Sequence, residues 1–266
     1  EYYAARIARR SQETVAEATD ATEATDVWDE KKAGNYQQTR LVVDVIAGTS
    51  AGGINGVFLA KALANGEKFD SLKDMWVTEG DIGLLLNDKR SYRTTVPPLD
   101  DRSDTPKSLL NSDRMYAKLL VALKGMNTLD IRSAPHDATN ISPLAEEIDL
   151  FITTTDIEGA AVPLRLFDRV VYERRHKQSY HFRYPNGVTE GGNDFGAINH
   201  PFLAFAARCT SSFPFAFEPM TLSAVQRLKE DGAKPGLRRW DMFFPHLPPD
   251  EVADGAHVNR AFGDGG

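Results

Sequence analysis

The chain has 266 residues, 41% of them hydrophobic, enough to bury a core in one large domain or two small ones. A net charge of −7 argues against a nucleic-acid binder held by phosphate contacts. The single cysteine, Cys209, excludes an internal disulfide and a multi-cysteine metal site and fits a reducing, cytoplasmic compartment. No apolar run approaches the length of a membrane-spanning helix, and no signal peptide is visible.

In chain order, residues 1–10 (EYYAARIARR) suit a short amphipathic helix. Residues 11–39 are a Thr/Ala/acid tract with few large apolar side chains, expected to be an exposed insertion. Residues 41–65 (LVVDVIAGTSAGGINGVFLAKALAN) read as a buried strand from Leu41 to Ile46, a tight turn, and a helix ended by Asn65-Gly66. Asp70 is placed to cap a helix through Leu72, Met75 and Trp76, and 88–107 is polar and proline-bearing, a long surface loop. Ser112 is the expected cap of a helix with Met115, Leu119, Leu120 and Leu123 on one face and Gly125 as its stop. Residues 147–155 (EIDLFITTT) alternate as a strand, with Glu158-Gly159 expected to turn it. Strand-like pieces follow at 162–167, 170–173 and 179–184, then a loop at 187–196. Pro201 opens a helix (PFLAFAARCT), and Thr221 caps another to Lys229. Strands interleaved with helices give an α/β class with a largely parallel sheet. The aromatic segments 213–217 and 240–244 are expected to be core, with the lining of an acyl channel as the other reading.

The turn at 48–53 carries the chemistry. It has the form G-x-S-x-G with Ser50 at its centre, flanked by Gly48, Gly52 and Gly53. A serine between strand and helix sits in a cramped backbone, glycines leave room for close approach, and the hydroxyl projects into the open. The N–H of Ala51, at the helix N-terminus, is placed to hold the oxyanion formed when Ser50 attacks an ester carbonyl. A phosphate cradle at the same glycines is the binding-module alternative. No P-loop and no H-E-x-x-H motif occurs, and His176 and His181 lack zincin spacing. No metal or cofactor is expected. Arg174, Arg175 and Lys177 form a basic cluster suited to anionic headgroups or to a solvated face.

A serine hydroxyl needs a base. In a Ser-His-Asp arrangement the candidates are His200, His246 and His257. In a Ser-Asp dyad they are Asp254 and Asp264, each followed by small residues that let the backbone approach.

GTSAGG after a buried strand, ITTTDIEG in mid-chain, RCTSSFPFAFEPM and the final FGDGG together resemble the patatin-like phospholipase family, most nearly its bacterial patatin-related branch, over 41–266. The resemblance implies a three-layer α/β/α fold with a largely parallel central sheet, a single catalytic domain, and hydrolysis of lipid acyl esters without cofactor or catalytic histidine. Carried onto this chain it makes Ser50 the nucleophile and Asp264 the dyad aspartate, preferred to Asp254, with Gly265 and Gly266 completing the dyad motif. The Gly-rich oxyanion segment that the family carries before its nucleophile is not among these residues, so the chain is expected to be an excerpt cut at both ends. The partner implied is a lipid or other acyl ester, with peripheral contact to a membrane. The other readings are an α/β-hydrolase esterase with a Ser-His-Asp triad, His257 its favoured base, and a non-catalytic lipid-binding member.

Overall fold

The computed structural model describes residues 42–68, 70–93, 107–126, 145–185, 192–227 and 256–266. All of these but Val42 belong to one compact unit, Val43–Leu129 with Asn140–Gly266. The expected helix at 1–10, the insertion at 11–39, the loop residues 94–106, the aromatic segment 240–244, His246 and Asp254 lie outside the described residues.

Among the described residues there are four strands: β1 (Val45–Gly48), β2 (Ile148–Arg165), β3 (Val170–Tyr184) and β4 (Phe262–Gly263). The helices are α1 (Ala51–Asn65), α2 (Asp70–Glu79), α3 (Ile82–Leu85), α4 (Lys89–Arg93), α5 (Ser112–Lys124), α6 (His200–Thr210) and α7 (Leu222–Arg227). Strand β2 is the centre of the sheet. One edge pairs with β3 in antiparallel fashion, and the other pairs with β1 in parallel and with β4 in antiparallel fashion. The described pairings are thus one parallel and two antiparallel: the sheet is mixed, where the interleaved pattern suggested largely parallel strands. The reason is local. The segment after β2 has no crossover helix and folds straight back as β3, and antiparallel neighbours need only a short turn.

This topology positions the site. β1 runs beside β2 from Asp149 to Ile152, while β4 runs the opposite way beside Asp156 and Thr155. The two short strands head toward each other along one edge, and their ends meet opposite Thr153 and Thr154. Ser50 leaves the end of β1 and Asp264 leaves the end of β4, so residues 214 positions apart converge.

One face of the sheet carries the core. Ile148, Leu150 and Ile152 of β2 and Tyr180, Phe182 and Tyr184 of β3 are buried beneath α1 and α6, whereas Asp149, Phe151, Thr153 and Thr155 on the opposite face are half-buried. Helix α1 lies close because Gly56 has no side chain: a Cβ there would stand 3.3 Å from Ile46 Cγ2 and 3.5 Å from Leu150 Cδ1. Phe202 and Phe205 of α6 pack edge-on or tilted against Tyr180 and Phe262, with ring centroids 5.4–6.0 Å apart. Cys209, beside them, is a buried free thiol.

Several local expectations hold and several need correction. Gly66 ends α1 in the left-handed conformation (φ 62°) with its N–H on the Ala62 carbonyl. The cap of α5 is Asn111, not Ser112: its side-chain oxygen accepts the Arg114 N–H at 2.9 Å. Ser112 instead uses its hydroxyl to accept from Arg208 and from the Glu218 N–H. Strand β1 begins four residues later than Leu41. The surface loop predicted from residue 88 opens with the short helix α4. Glu158-Gly159 does not turn the chain. Asp156 Oδ1 accepts the N–H groups of Glu158 and Gly159 at 3.0 and 3.1 Å, and the segment is a bulge inside one long strand. Arg260, just before β4, closes that bulge with its guanidinium on Asp156 Oδ2 (2.6 Å) and the Gly159 carbonyl (2.9 Å), a buried pair.

His200 opens α6 in a buried position. Burial, with Lys61 and Lys124 nearby, pushes its imidazole down to about 4 from an ordinary 6.5. The folded state therefore refuses a proton that the unfolded state accepts, so stability falls as pH drops from 6.5 toward 4 and levels off below. The loss should be on the order of 1–3 kcal/mol. Denaturant midpoints measured across that window should fall more steeply for the parent than for His200→Gln; parallel curves would contradict the assignment.

Candidate functional site

Ser50 is one of two described non-glycine residues with a positive φ (φ 53°, ψ −128°), the other being Phe215. A β-carbon in that region is strained by about 1–3 kcal/mol, so neighbours must hold it there. Two of them are glycines. A Cβ on Gly48 would lie 2.6 Å from the Gly52 carbonyl oxygen, and one on Gly53 would lie 2.6 Å from Thr210 Cγ2. A Cβ on Gly52 would meet nothing within 4 Å. The close approach predicted for the motif glycines is thus made at Gly48 and Gly53, and Gly52 lines open space. Thr210, at the end of α6, accepts the Ser50 N–H on Oγ1 at 2.8 Å.

The Ser50 hydroxyl donates to Asp264 Oδ2 at 2.8 Å. The other carboxylate oxygen, Oδ1, accepts the Gly266 N–H at 2.8 Å, which fixes the rotation of the carboxylate. The Asp264 backbone is held at both ends: its N–H donates to the Ser212 carbonyl (3.2 Å) and its carbonyl accepts the Thr155 hydroxyl (2.7 Å). The Thr154 hydroxyl donates to the Gly263 carbonyl, and Thr153 Oγ1 shares a hydrogen bond with Thr49 Oγ1. A Cβ on Gly265 would stand 2.1 Å from the Thr153 carbonyl oxygen, so only glycine lets this turn lie flat on β2.

The threonine run 153–155 therefore does more than favour β-structure. One hydroxyl ties the serine turn to β2, and two tie the aspartate turn to it. Sequence reasoning missed this, although three consecutive hydroxyls on a strand whose other residues alternate in polarity were a visible signal. Thr155→Val removes the donor to Asp264 while keeping shape. On the hydrolase reading proposed below, it should lower kcat about tenfold with KM and melting temperature little changed, as steady-state kinetics and a thermal melt would show.

In α1 the first N–H groups to bond back are those of Gly53, to the Thr49 and Ser50 carbonyls, and Ile54, to that of Ser50. The N–H groups of Ala51 and Gly52 precede them and have no acceptor among the described residues. Behind the site, Arg208 is fully buried. Its guanidinium donates to Ser112 Oγ and Ser212 Oγ at 2.9 Å and to the Glu218 carbonyl at 3.2 Å, and stacks 4.2 Å over the Phe217 ring. Burial pushes it down to about 10, still charged at neutral pH. It holds the 211–218 loop, whose Ser212 carbonyl positions Asp264. On that loop Phe213 and Phe215 are 63% and 92% exposed, where core packing was expected.

No described histidine bonds to Ser50. His200 is buried at the start of α6, His257 lies half-buried in the 3₁₀ turn Ala256–Asn259, and His176 and His181 bond to the Asp156 carbonyl and to Asp149 at 2.8 and 2.5 Å. No group of three or more His, Cys, Asp or Glu placed to share a metal ion occurs among the described residues.

A serine on a strained strand–turn–helix elbow, beside a mixed sheet with helices packed on it, defines a protein of the α/β class. The patatin-like phospholipase profile matches residues 21–259, and the chain belongs to that family, a family of lipid acyl hydrolases with a three-layer α/β/α fold. The match includes Ser50 and ends before Asp264. An uncharacterized membrane protein of Mycobacterium tuberculosis is 28% identical over 225 residues, covering 83% of this chain and 19% of the relative. The chain thus spans about a fifth of the length of the curated relative it matches. No solved structure matches. No helix among the described residues is long and apolar enough to cross a membrane.

Proposed function

We propose that the chain is a serine acyl-ester hydrolase acting on lipids, of the phospholipase A or lipid acyl hydrolase type, with Ser50 and Asp264 as its catalytic dyad. The observation that carries this reading is the 2.8 Å hydrogen bond from Ser50 Oγ to Asp264 Oδ2. Asp264 Oδ2 takes the hydroxyl proton as Ser50 Oγ bonds to the ester carbonyl carbon. The N–H of Ala51, with Gly52 beside it, donates to the developing oxyanion at the positive end of α1. Collapse of the tetrahedral species expels the alcohol, which receives the proton from Asp264. Water, deprotonated by the same carboxylate, then attacks acyl-Ser50, and Asp264 returns that proton to Ser50 Oγ as the fatty acid leaves. Gly48, Gly53, Gly265 and Gly266 act by shape and by the one N–H that steadies Asp264.

The chemistry uses no cofactor. The substrate is an ester presented in lipid aggregates, so the reading puts the chain in peripheral contact with a membrane, and a single cysteine fits the cytoplasmic side. That the mycobacterial relative is named a membrane protein agrees with this. Acid quenching during turnover of a long-chain 4-nitrophenyl ester should trap an acyl group on the Ser50 peptide by mass spectrometry. An acyl group on another residue would reassign the nucleophile. Turnover without any trapped acyl group, under single-turnover conditions, would replace the covalent route by direct attack of water.

A further inference from the structure

Beyond the bulge at Thr155–Ala160, β2 and β3 continue as a two-stranded arm that ends in the turn Leu166–Arg169. Residues paired directly across an antiparallel ladder put their side chains on the same face. One face of the arm is therefore Ala161, Pro163 and Arg165 of β2 with Arg174, Tyr172 and Val170 of β3. All six are exposed, whereas Val162, Leu164 and Val171 on the other face are half-buried. On β3 the exposed face continues the row Tyr180, Phe182 and Tyr184, which lies buried beneath the helices. Between the two lie Gln178, His176 and Arg174, against which the Glu158-Gly159 bulge packs, and beyond that bulge the face is exposed.

Its charge is what identifies the occupant. The chain carries a net −7, yet residues 165–177 hold five Arg/Lys against two Asp/Glu. The two acids sit beside arginines, Asp168 3.9 Å from Arg169 and Glu173 3.0 Å from Arg175. Among the described residues Arg165 and Lys177 have no carboxylate partner, and Arg174 donates to the Glu158 backbone carbonyl at 2.6 Å, not to a carboxylate. Arg165 and Arg174 border the exposed face, which carries no acid. Phe167, at the tip, is fully exposed. Aromatic and aliphatic side chains with an arginine border and no carboxylate match an anionic bilayer, with apolar groups at the acyl boundary and guanidinium groups among the phosphates.

We propose that this arm is the surface by which the chain docks on anionic phospholipid membranes. Its root is the site itself, since Thr155, the last residue before the bulge, holds the Asp264 carbonyl. Docking through the arm would keep Ser50 close to the lipid surface. The choice of a lipid partner rests on the proposed hydrolase reading, but the docking does not need turnover.

The test is sedimentation of the Ser50→Ala protein with phosphatidylcholine vesicles, with and without phosphatidylglycerol. Binding is expected to the anionic vesicles and to weaken with salt. The pairs Arg165→Gln/Arg174→Gln and Phe167→Ser/Tyr172→Ser should each weaken it at least about tenfold, with circular dichroism melts unchanged. If either pair disturbs folding, Phe167→Trp serves instead, and brominated lipid should quench its fluorescence beyond that of the parent. Equal binding by parent and variants, equal binding to neutral vesicles, or no binding would overturn the proposal. So would gel filtration showing that Phe167→Ser/Tyr172→Ser dissolves a dimer, which would give the face to a second copy. Because the serine is already removed, a failed acyl trap leaves this result standing, and failed docking leaves the acyl trap standing.

Discussion

Asp264→Asn should lower kcat by at least about 10³-fold while the protein melts within about two degrees of the parent. The amide keeps an oxygen to accept the Gly266 N–H, and the backbone ties to Ser212 and Thr155 are untouched. What is lost is the one atom that takes a proton in the proposed mechanism. Oδ2 accepts from Ser50 at 2.8 Å, and an amide nitrogen in its place can only donate. Ser50→Ala should lose as much, and the double variant no more than either, since the two groups act as a unit. Steady-state hydrolysis of a soluble 4-nitrophenyl ester beside a thermal melt decides it. An Asp264→Asn protein with more than about a tenth of parental kcat would remove the aspartate from the proposed mechanism.

The second large effect separates two glycines that the motif treats alike. Gly48→Ala puts a methyl 2.6 Å from the Gly52 carbonyl oxygen and 2.8 Å from Gly53 Cα, all backbone at the start of α1. The helix must shift, and with it Ser50. A cost of about 2–4 kcal/mol in stability and a fall in kcat of about 10²-fold or more are expected. Gly52→Ala meets nothing within 4 Å and lies in a helix, where alanine is favoured over glycine. It should leave stability unchanged or raise it by up to about 1 kcal/mol. Urea denaturation of both variants measures this. Equal destabilisation would mean that the turn is not held by the Gly48 contact.

Much of this was legible in the residues. The strand–turn–helix around Ser50 showed in the switch from a β-branched run to helical spacing, and both the αL stop at Gly66 and the start of α6, one residue before Pro201, follow from single residues. The juxtaposition of Ser50 and Asp264 was not derivable from spacing. It depends on β1 and β4 sharing one edge of β2 in opposite directions, a pairing that two residues of β4 cannot announce. The resemblance to a family supplied it instead. Asp-x-Glu-Gly has turn chemistry and predicts a turn at Glu158-Gly159; what keeps the chain extended as a bulge is Arg260, 104 residues away. The aromatic segment 213–217 was expected in the core by composition. The structure exposes Phe213 and Phe215, because the loop is anchored by Arg208 and by backbone bonds from Leu109 and Leu110, not by its own rings.

The most direct measurement is labelling with a long-chain alkyl fluorophosphonate, with the modified peptide mapped by mass spectrometry in the parent and in Asp264→Asn. A dyad of Ser50 and Asp264 predicts one adduct, on Ser50, formed rapidly in the parent and at least about 10²-fold more slowly in the variant. An adduct formed equally fast in both, or carried by another residue, would contradict it.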